Sequence, residues 1–250
     1  MSAAYTELAR PPIREAVLDF DCDVPPSIRL EALEEPAKAA FAEHYPNVQP
    51  RYLQEVQVTS GEGAFNSSLQ RSLQAWMFLQ QDGKQLVQVR QSGFSFNRLA
   101  PYAGFDTYLP EIRRTWDLYR GFVSPLSVRT LRLRYLNRII LPLAGGGVEL
   151  DHYLTIQPAL PAGDQFTLSG FLNQYTAMDR RTGHQVAVVV TAQSPEGSNL
   201  PILFDNAAAA TGEWDPADWC GLERVLRSLR DLKNEIFFNT LKQPCMELFT

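Results

Sequence analysis

Seven arginines, Arg113, Arg114, Arg120, Arg129, Arg132, Arg134 and Arg138, fall in one stretch opposed only by Glu111 and Asp117. The local charge is near +5, in a chain whose 23 Lys+Arg and 28 Asp+Glu leave −5 at pH 7. On a strand with a two-residue period, Arg132, Arg134 and Arg138 share one face with Leu136. Leu131, Leu133, Tyr135, Asn137 and Ile139 share the other. A row of guanidiniums on an open sheet face could hold a carboxylate or phosphate through paired N–H groups. The plainer expectation is a salt-bridge network, each arginine meeting an acid such as Glu15 or Asp19 on a neighbouring strand. Glu15 with Arg134 and Arg138 is the contact most expected. Exposed pairs of this kind contribute about 0–1 kcal/mol each, so the network would set register more than stability.

Other chemistry is sparse. Glu15, Asp205 and His152 could be assembled into a hydrolase-like site, but no nucleophile elbow, phosphate loop or zinc-protease helix accompanies them. Gly145-Gly146-Gly147 follows a strand without opening a helix with Gly-Lys-Ser/Thr, so it reads as a loop, and Asp151-His152 reads as a solvated turn. His44, His152 and His184 lack metal-ligand spacing. Cys22, Cys220 and Cys245 form no C-x-x-C pair; Cys22 and Cys220 read as small buried apolar residues in a reducing compartment. The expectation is therefore no metal, no cofactor and a cytoplasmic setting. Among the basic residues only Lys38, Lys84, Lys233 and Lys242 are lysine.

The composition is that of an ordinary globular chain: 250 residues, 45% hydrophobic and 20% charged. No apolar run approaches the roughly 20 residues of a spanning helix, so no membrane association is expected. A nucleic-acid reading could use the arginines with Trp116, Tyr119 and Tyr135. The net acidity and the lack of a recognition-helix or stacking-sheet signature argue against it.

The elements that must position these residues follow from periodicity. Residues 13–23 alternate as a strand, with Ala16, Leu18, Phe20 and Cys22 on one face. Ser27 is placed to cap a helix through Phe41, with a kink or restart at Pro36. Strands are expected over 52–59, 73–80 and 86–96, the last two joined by the turn Gln81-Asp82-Gly83-Lys84. Leu109, Ile112, Trp116 and Tyr119 mark a helix over 108–122, ended by Gly121 and Pro125. A long strand over 128–141 and a short helical piece at 150–156 come next, followed by strands over 166–178, 185–193 and 200–206. Alanines 207–210 read as a connector. A final helix is capped by Asp215 and followed by Pro216, with Trp219, Leu222, Leu226, Leu229, Ile236, Phe237 and Leu241 on its apolar side.

The order is β-α-β-β-β-α followed by β-(short α)-β-β-β-α. It implies one α+β domain over 1–250, a largely antiparallel sheet of about eight strands with helices on one face. Residues 11–127 and 128–250 read as two similar β-α-β-β-β halves, without a residue-level repeat.

Two short motifs stand out: Pro11-Pro12-Ile13-Arg14-Glu15 and Arg134-Tyr135-Leu136-Asn137-Arg138-Ile139. With Trp76-Met77-Phe78-Leu79, Asn97-Arg98-Leu99, Pro101-Tyr102 and Phe237-Phe238-Asn239-Thr240-Leu241, they make most of the chain resemble one family. It is the sporadically distributed bacterial family marked by N-terminal Pro-Pro-Ile-x-Glu and internal Arg-Tyr-x-Asn-Arg-Ile. The resemblance marks Pro12, Glu15, Tyr135 and Asn137 as motif residues and implies no particular activity. Ile202-Leu203-Phe204-Asp205 is followed by alanines where members place further acidic or polar residues. The leading expectation is a non-catalytic module that binds a small molecule or a protein through the helix-free sheet face, at Arg132, Arg134 and Arg138. The alternative is a hydrolase-like enzyme using carboxylates in the same cleft. A homodimer is left open.

Overall fold

The computed structural model describes residues 8–61, 64–143, 148–156, 158 and 169–250. The glycine loop at 145–147 and the first three residues of the strand expected at 166–178 lie outside the described residues. The side chains of residues 55–61 and 64–69 are likewise not described.

The fold is α+β, built on one nine-stranded sheet in which every named pair of neighbours is antiparallel. The strands are β1 (Ile13–Asp23), β2 (Asn47–Gly61), β3 (Ala64–Leu79), β4 (Gln85–Arg90), β5 (Gly93–Leu99), β6 (Ser127–Pro142), β7 (Leu172–Met178), β8 (Gln185–Ala192) and β9 (Asn199–Trp214). Their order is β2-β3-β4-β5-β1-β6-β9-β8-β7. β1 and β6 thus lie side by side at the centre, each flanked by the meander of its own half of the chain. The halves are uneven, because the strand expected over 86–96 is two strands. Residues 91 and 92 turn the chain back, and Val89 and Phe94 face each other across it. Polar Arg90-Gln91-Ser92-Gly93, between the two apolar ends of the run, marks the break. The preceding hairpin turn forms as its residues predict, with Gly83 at φ +66° and the Asp82 carboxylate accepting from the Lys84 N–H.

Among the described residues five α-helices accompany the sheet: α1 (Glu34–Phe41), α2 (Phe105–Val123), α3 (Leu150–Tyr153), α4 (Trp219–Thr240) and α5 (Gln243–Met246). Pro36 sits in the first turn of α1, after a 3-10 turn over Leu30–Leu33, so the helix restarts there. Ser27 does not cap it; Arg29 precedes the 3-10 turn and makes no side-chain cap bond. α2 runs through Gly121 and closes at Ser124, which takes the left-handed conformation at φ 51°. α4 is capped by Asp218, whose carboxylate accepts from the Gly221 N–H at 3.0 Å. Asp215 instead holds the turn before it, accepting from the Ala217 N–H.

Alanines 207–210 are not a connector. They continue β9, paired to Arg134, Leu133, Arg132 and Leu131 on β6, and three of them also pair to β8. Alanine has little strand preference of its own, yet two flanking ladders decide its conformation. The small side chain of Ala208 lets the leucines of α4 reach the sheet.

Two apolar clusters occupy the helix-covered face. The larger joins Leu18, Phe20, Phe94 and Leu131 to α1, α2 and the first half of α4, with Phe20 stacked on Trp116 at 4.4 Å. The smaller joins Ile139, Leu141, Ile202 and Phe204 to Phe237, Leu241 and Cys245. Along β6, β9 and α4 the boundary between them is polar: Asn137, Asn206 and Lys233 interrupt the apolar sequence on each element, and all three are buried.

The strand assignment of the alanines predicts a contrast between neighbours. Ala208→Leu, under α4, should destabilise by about 1–3 kcal/mol through overpacking. Ala207→Leu, on the opposite face, should stay within about 0.5 kcal/mol. Urea denaturation of both variants checks this; equal effects would contradict the facing.

Candidate functional site

The arginines of β6 lie where the two-residue period puts them, on the helix-free face. Their partners differ from those expected. Arg134 forks onto Asp205 of β9, its Nε 2.9 and 3.0 Å from the two carboxylate oxygens. Arg138 meets Glu196 and Gln193 near the β8–β9 turn. Glu15 accepts from the Asn97 amide at 2.7 Å, and Asp19 accepts from Ser95 and lies 3.6 Å from Arg90. The expected Glu15–Arg134 and Glu15–Arg138 contacts are therefore absent: the acids of β1 are engaged by β5 and β4, and the arginines turn to the β9 side. Asp205, across from Leu136 in the ladder, lies diagonal to Arg134, where both oxygens meet the guanidinium fork. Arg132 has no ion pair among the described residues and borders a shallow recess with Thr176, Met178 and Gln185.

The residues of a hydrolase-like site are not brought together. Glu15 and Asp205 stand on strands separated by β6, each with its own partner, while His152 is exposed on α3 and packs edge-on against Tyr153. Cys22 is buried and its thiol is pushed up to about 12, chiefly by desolvation. Cys220, expected to be buried, is exposed at the start of α4 on the side away from Trp219 and Leu222. Among the described residues no cluster of three His, Cys, Asp or Glu could hold a metal.

A roomier concave site lies on the other face. A cavity of about 640 Å³ is bounded by Leu8, Ala9, Pro11 and Pro12 ahead of β1, by Ile13 at its start, by the loop from Tyr102 into the first turn of α2, by Tyr135 and Asn137 on β6, and by α4. From α4 come Arg230, Lys233, Asn234 and Phe237, at offsets of three, four and seven that form one stripe. The Tyr102 and Tyr135 hydroxyls share a hydrogen bond of 2.6 Å, which draws the loop down to the sheet. Pro12 is held alongside by its carbonyl, which accepts from the Arg138 N–H at 2.9 Å.

Lys233 is the unusual member. It is 6% exposed, with its Nζ 3.6 Å from the centre of the Tyr135 ring, and among the described residues it has no carboxylate or hydrogen-bond partner for that amine. Desolvation, with repulsion from Arg230 second, lowers its pKa to about 7. Arg230 cannot help neutralise a ligand unaided, since Asp106 and Asp231 already engage its guanidinium. The backbone around Lys233 is tied down: its carbonyl accepts from the Asn206 amide at 3.0 Å. Asn137 donates to the Phe204 carbonyl at 3.0 Å and leaves its own Oδ1 without a partner. Burial pushes the Tyr102 and Tyr135 hydroxyls well up, so both keep their protons at neutral pH.

Of the sequence-derived residues, Pro12, Tyr135 and Asn137 line this cavity, whereas Glu15, Arg132, Arg134 and Arg138 do not. Sequence reasoning missed Lys233, Arg230, Tyr102 and Asp106. One signal was present: Lys233, one of four lysines, stands four residues from both Leu229 and Phe237 inside the apolar stripe of α4. Comparison with protein-family models and with curated proteins finds no match.

The lowered amine pKa predicts a pH-dependent stability. The unfolded lysine titrates near 10.4 and the folded one at about 7, so between those values the unfolded chain binds more protons and stability rises with pH. Lys233→Met removes the burden of the buried charge. It should stabilise by about 2–4 kcal/mol at pH 6, with the gain shrinking towards pH 10. Thermal melts across that range measure it, and a gain independent of pH would contradict the burial of a titrating amine.

Proposed function

We propose that the protein is a non-catalytic small-molecule-binding module whose site is the cavity between the β1–β6 centre of the sheet and the helices α2 and α4. One observation carries this reading: a 640 Å³ space bordered by Lys233, whose amine lies buried over the Tyr135 ring with no carboxylate partner among the described residues. Ligand sites have this size, mostly apolar walls and few polar groups. Ile13, Phe105, Phe237 and the prolines supply apolar walls, and Asp106, Thr107, Arg230, Lys233 and Asn234 line the rest with polar groups. The fitting ligand is a compact molecule with an apolar body and an oxygen-bearing end. The helix-free face is less suited, because Arg134 and Arg138 are already paired with acids of the same chain.

The same pairing, with a net charge of −5, supports a reading without nucleic acid. The free thiols of Cys22, Cys220 and Cys245 support a bacterial cytoplasmic setting, in line with the family that the sequence resembles. The motif residues Pro12, Tyr135 and Asn137 border the cavity, so we extend the binding reading to that family.

A ligand-detected NMR screen of compact aromatic alcohols, amides and carboxylates tests the site. Binding should be lost on Asn234→Trp, which fills the cavity, and retained on Arg132→Ala and Arg134→Ala. The reverse pattern, or no binder at all, would overturn the proposal.

A further inference from the structure

We propose that Lys233 Nζ, held over the Tyr135 ring in the cavity without a carboxylate partner, captures an aldehyde or ketone ligand as a Schiff base. This rests on the reading of the cavity as a small-molecule site and adds the ligand's reactive group. A surface lysine is hydrated or ion-paired, as Lys38 is with Glu34 and Glu35. Lys233 has neither arrangement: its stem runs through the apolar stripe of α4 and its amine faces a space large enough for a second molecule. The charged and titratable groups around it are Tyr102 in the loop, Asp106 at the start of α2, Tyr135 on β6 and Arg230 one turn earlier on α4. Among the described residues, the segment ahead of β1 brings Leu8, Ala9 and the two prolines to the lining, and β1 brings Ile13. Asp106 is engaged by Arg227 and Arg230, so among the described residues no free carboxylate holds the amine in its charged form. At neutral pH a large share of it is the neutral nucleophile.

The step balances without a redox partner. The nitrogen lone pair adds to the carbonyl carbon, a C–N bond forms, and the carbonyl π electrons pass to oxygen. The nitrogen gives up a proton and the oxygen gains one, producing a carbinolamine. That hydroxyl leaves as water after a second protonation, the nitrogen loses its last proton, and C=N forms. Solvent water supplies and takes up these protons; the Tyr102 and Tyr135 hydroxyls, joined in their own hydrogen bond and held protonated by burial, shape the edge of the cavity.

Incubating the full chain with benzaldehyde and cyanoborohydride near pH 7.5 and mapping peptides by mass spectrometry tests the inference. A single benzyl group on Lys233 is expected, in roughly tenfold or greater excess over Lys38, Lys84 and Lys242, because each unit of pKa changes the neutral fraction tenfold. Labelling of Lys233 should fall as pH drops below about 7. Lys233→Met, shown to be folded by a cooperative melt, should lose the adduct. Benzyl alcohol, matched in size but unable to condense, separates the two claims. Its displacement by Asn234→Trp without any Lys233 adduct would overturn the Schiff base and keep the binding site. No alcohol binding and no adduct would overturn both, as would even labelling of all four lysines.

Discussion

A buried amine with no counter-ion is costly, and the fold keeps one at the level where its two apolar clusters meet. Moving an unpaired polar group out of water costs several kcal/mol, so such a position persists where neighbouring groups fix the surroundings. Here three elements contribute at one level: Asn137 from β6, Asn206 from β9 and Lys233 from α4. Asn206 ties the helix backbone to the sheet through the Lys233 carbonyl, and Asn137 ties β6 to β9 through the Phe204 carbonyl. Sliding α4 by one turn would break the first of these bonds and carry Leu229 or Phe237 onto a polar position. The polar seam therefore sets the register of α4, and the same register delivers Lys233 to the cavity.

The two faces of the sheet consequently play different roles. On the helix-free face, charge is abundant but internally spent: Arg134 with Asp205, Arg138 with Glu196, Arg90 with Asp21, and Arg129 with Asp23 and Glu213. Such pairs fix strand neighbours and contribute little each when exposed. On the covered face, the Lys233 amine lies over the Tyr135 ring and borders a space, with no carboxylate against it among the described residues. A concave space bordered by an amine without a counter-ion is a stronger sign of a ligand than a row of matched ions.

Much of the architecture was legible in the residue pattern. The alternation of β1 and β6, the turn at Gly83 and the stripes of α2 and α4 follow local rules that tertiary contacts did not override. Where reading failed, a non-local partner decided. Alanines 207–210 became strand because ladders wait on both sides, whereas the split of the run 86–96 was marked locally by Arg90-Gln91-Ser92-Gly93, a turn signal that went unread. Charge drew attention to Arg132, Arg134 and Arg138, but sequence cannot show that acids on β9 and in the adjacent turn take up two of them. Tyr135 and Asn137 stood out through the family resemblance, while Lys233 was hidden by its ordinary residue type. Only its place among Leu229, Leu232 and Phe237 distinguishes it, and a lysine in a helical stripe is as a rule a snorkelling one.

The account depends most on the state of that single amine. Heteronuclear NMR of the chain labelled at lysine Cε and Nζ can follow each of the four lysines as the pH is raised, with Lys233→Met assigning the resonance. The account predicts that Lys233 titrates with a midpoint of about 7, well below the other three. A midpoint near the ordinary lysine value of about 10.4 would show a hydrated or paired ammonium and contradict it.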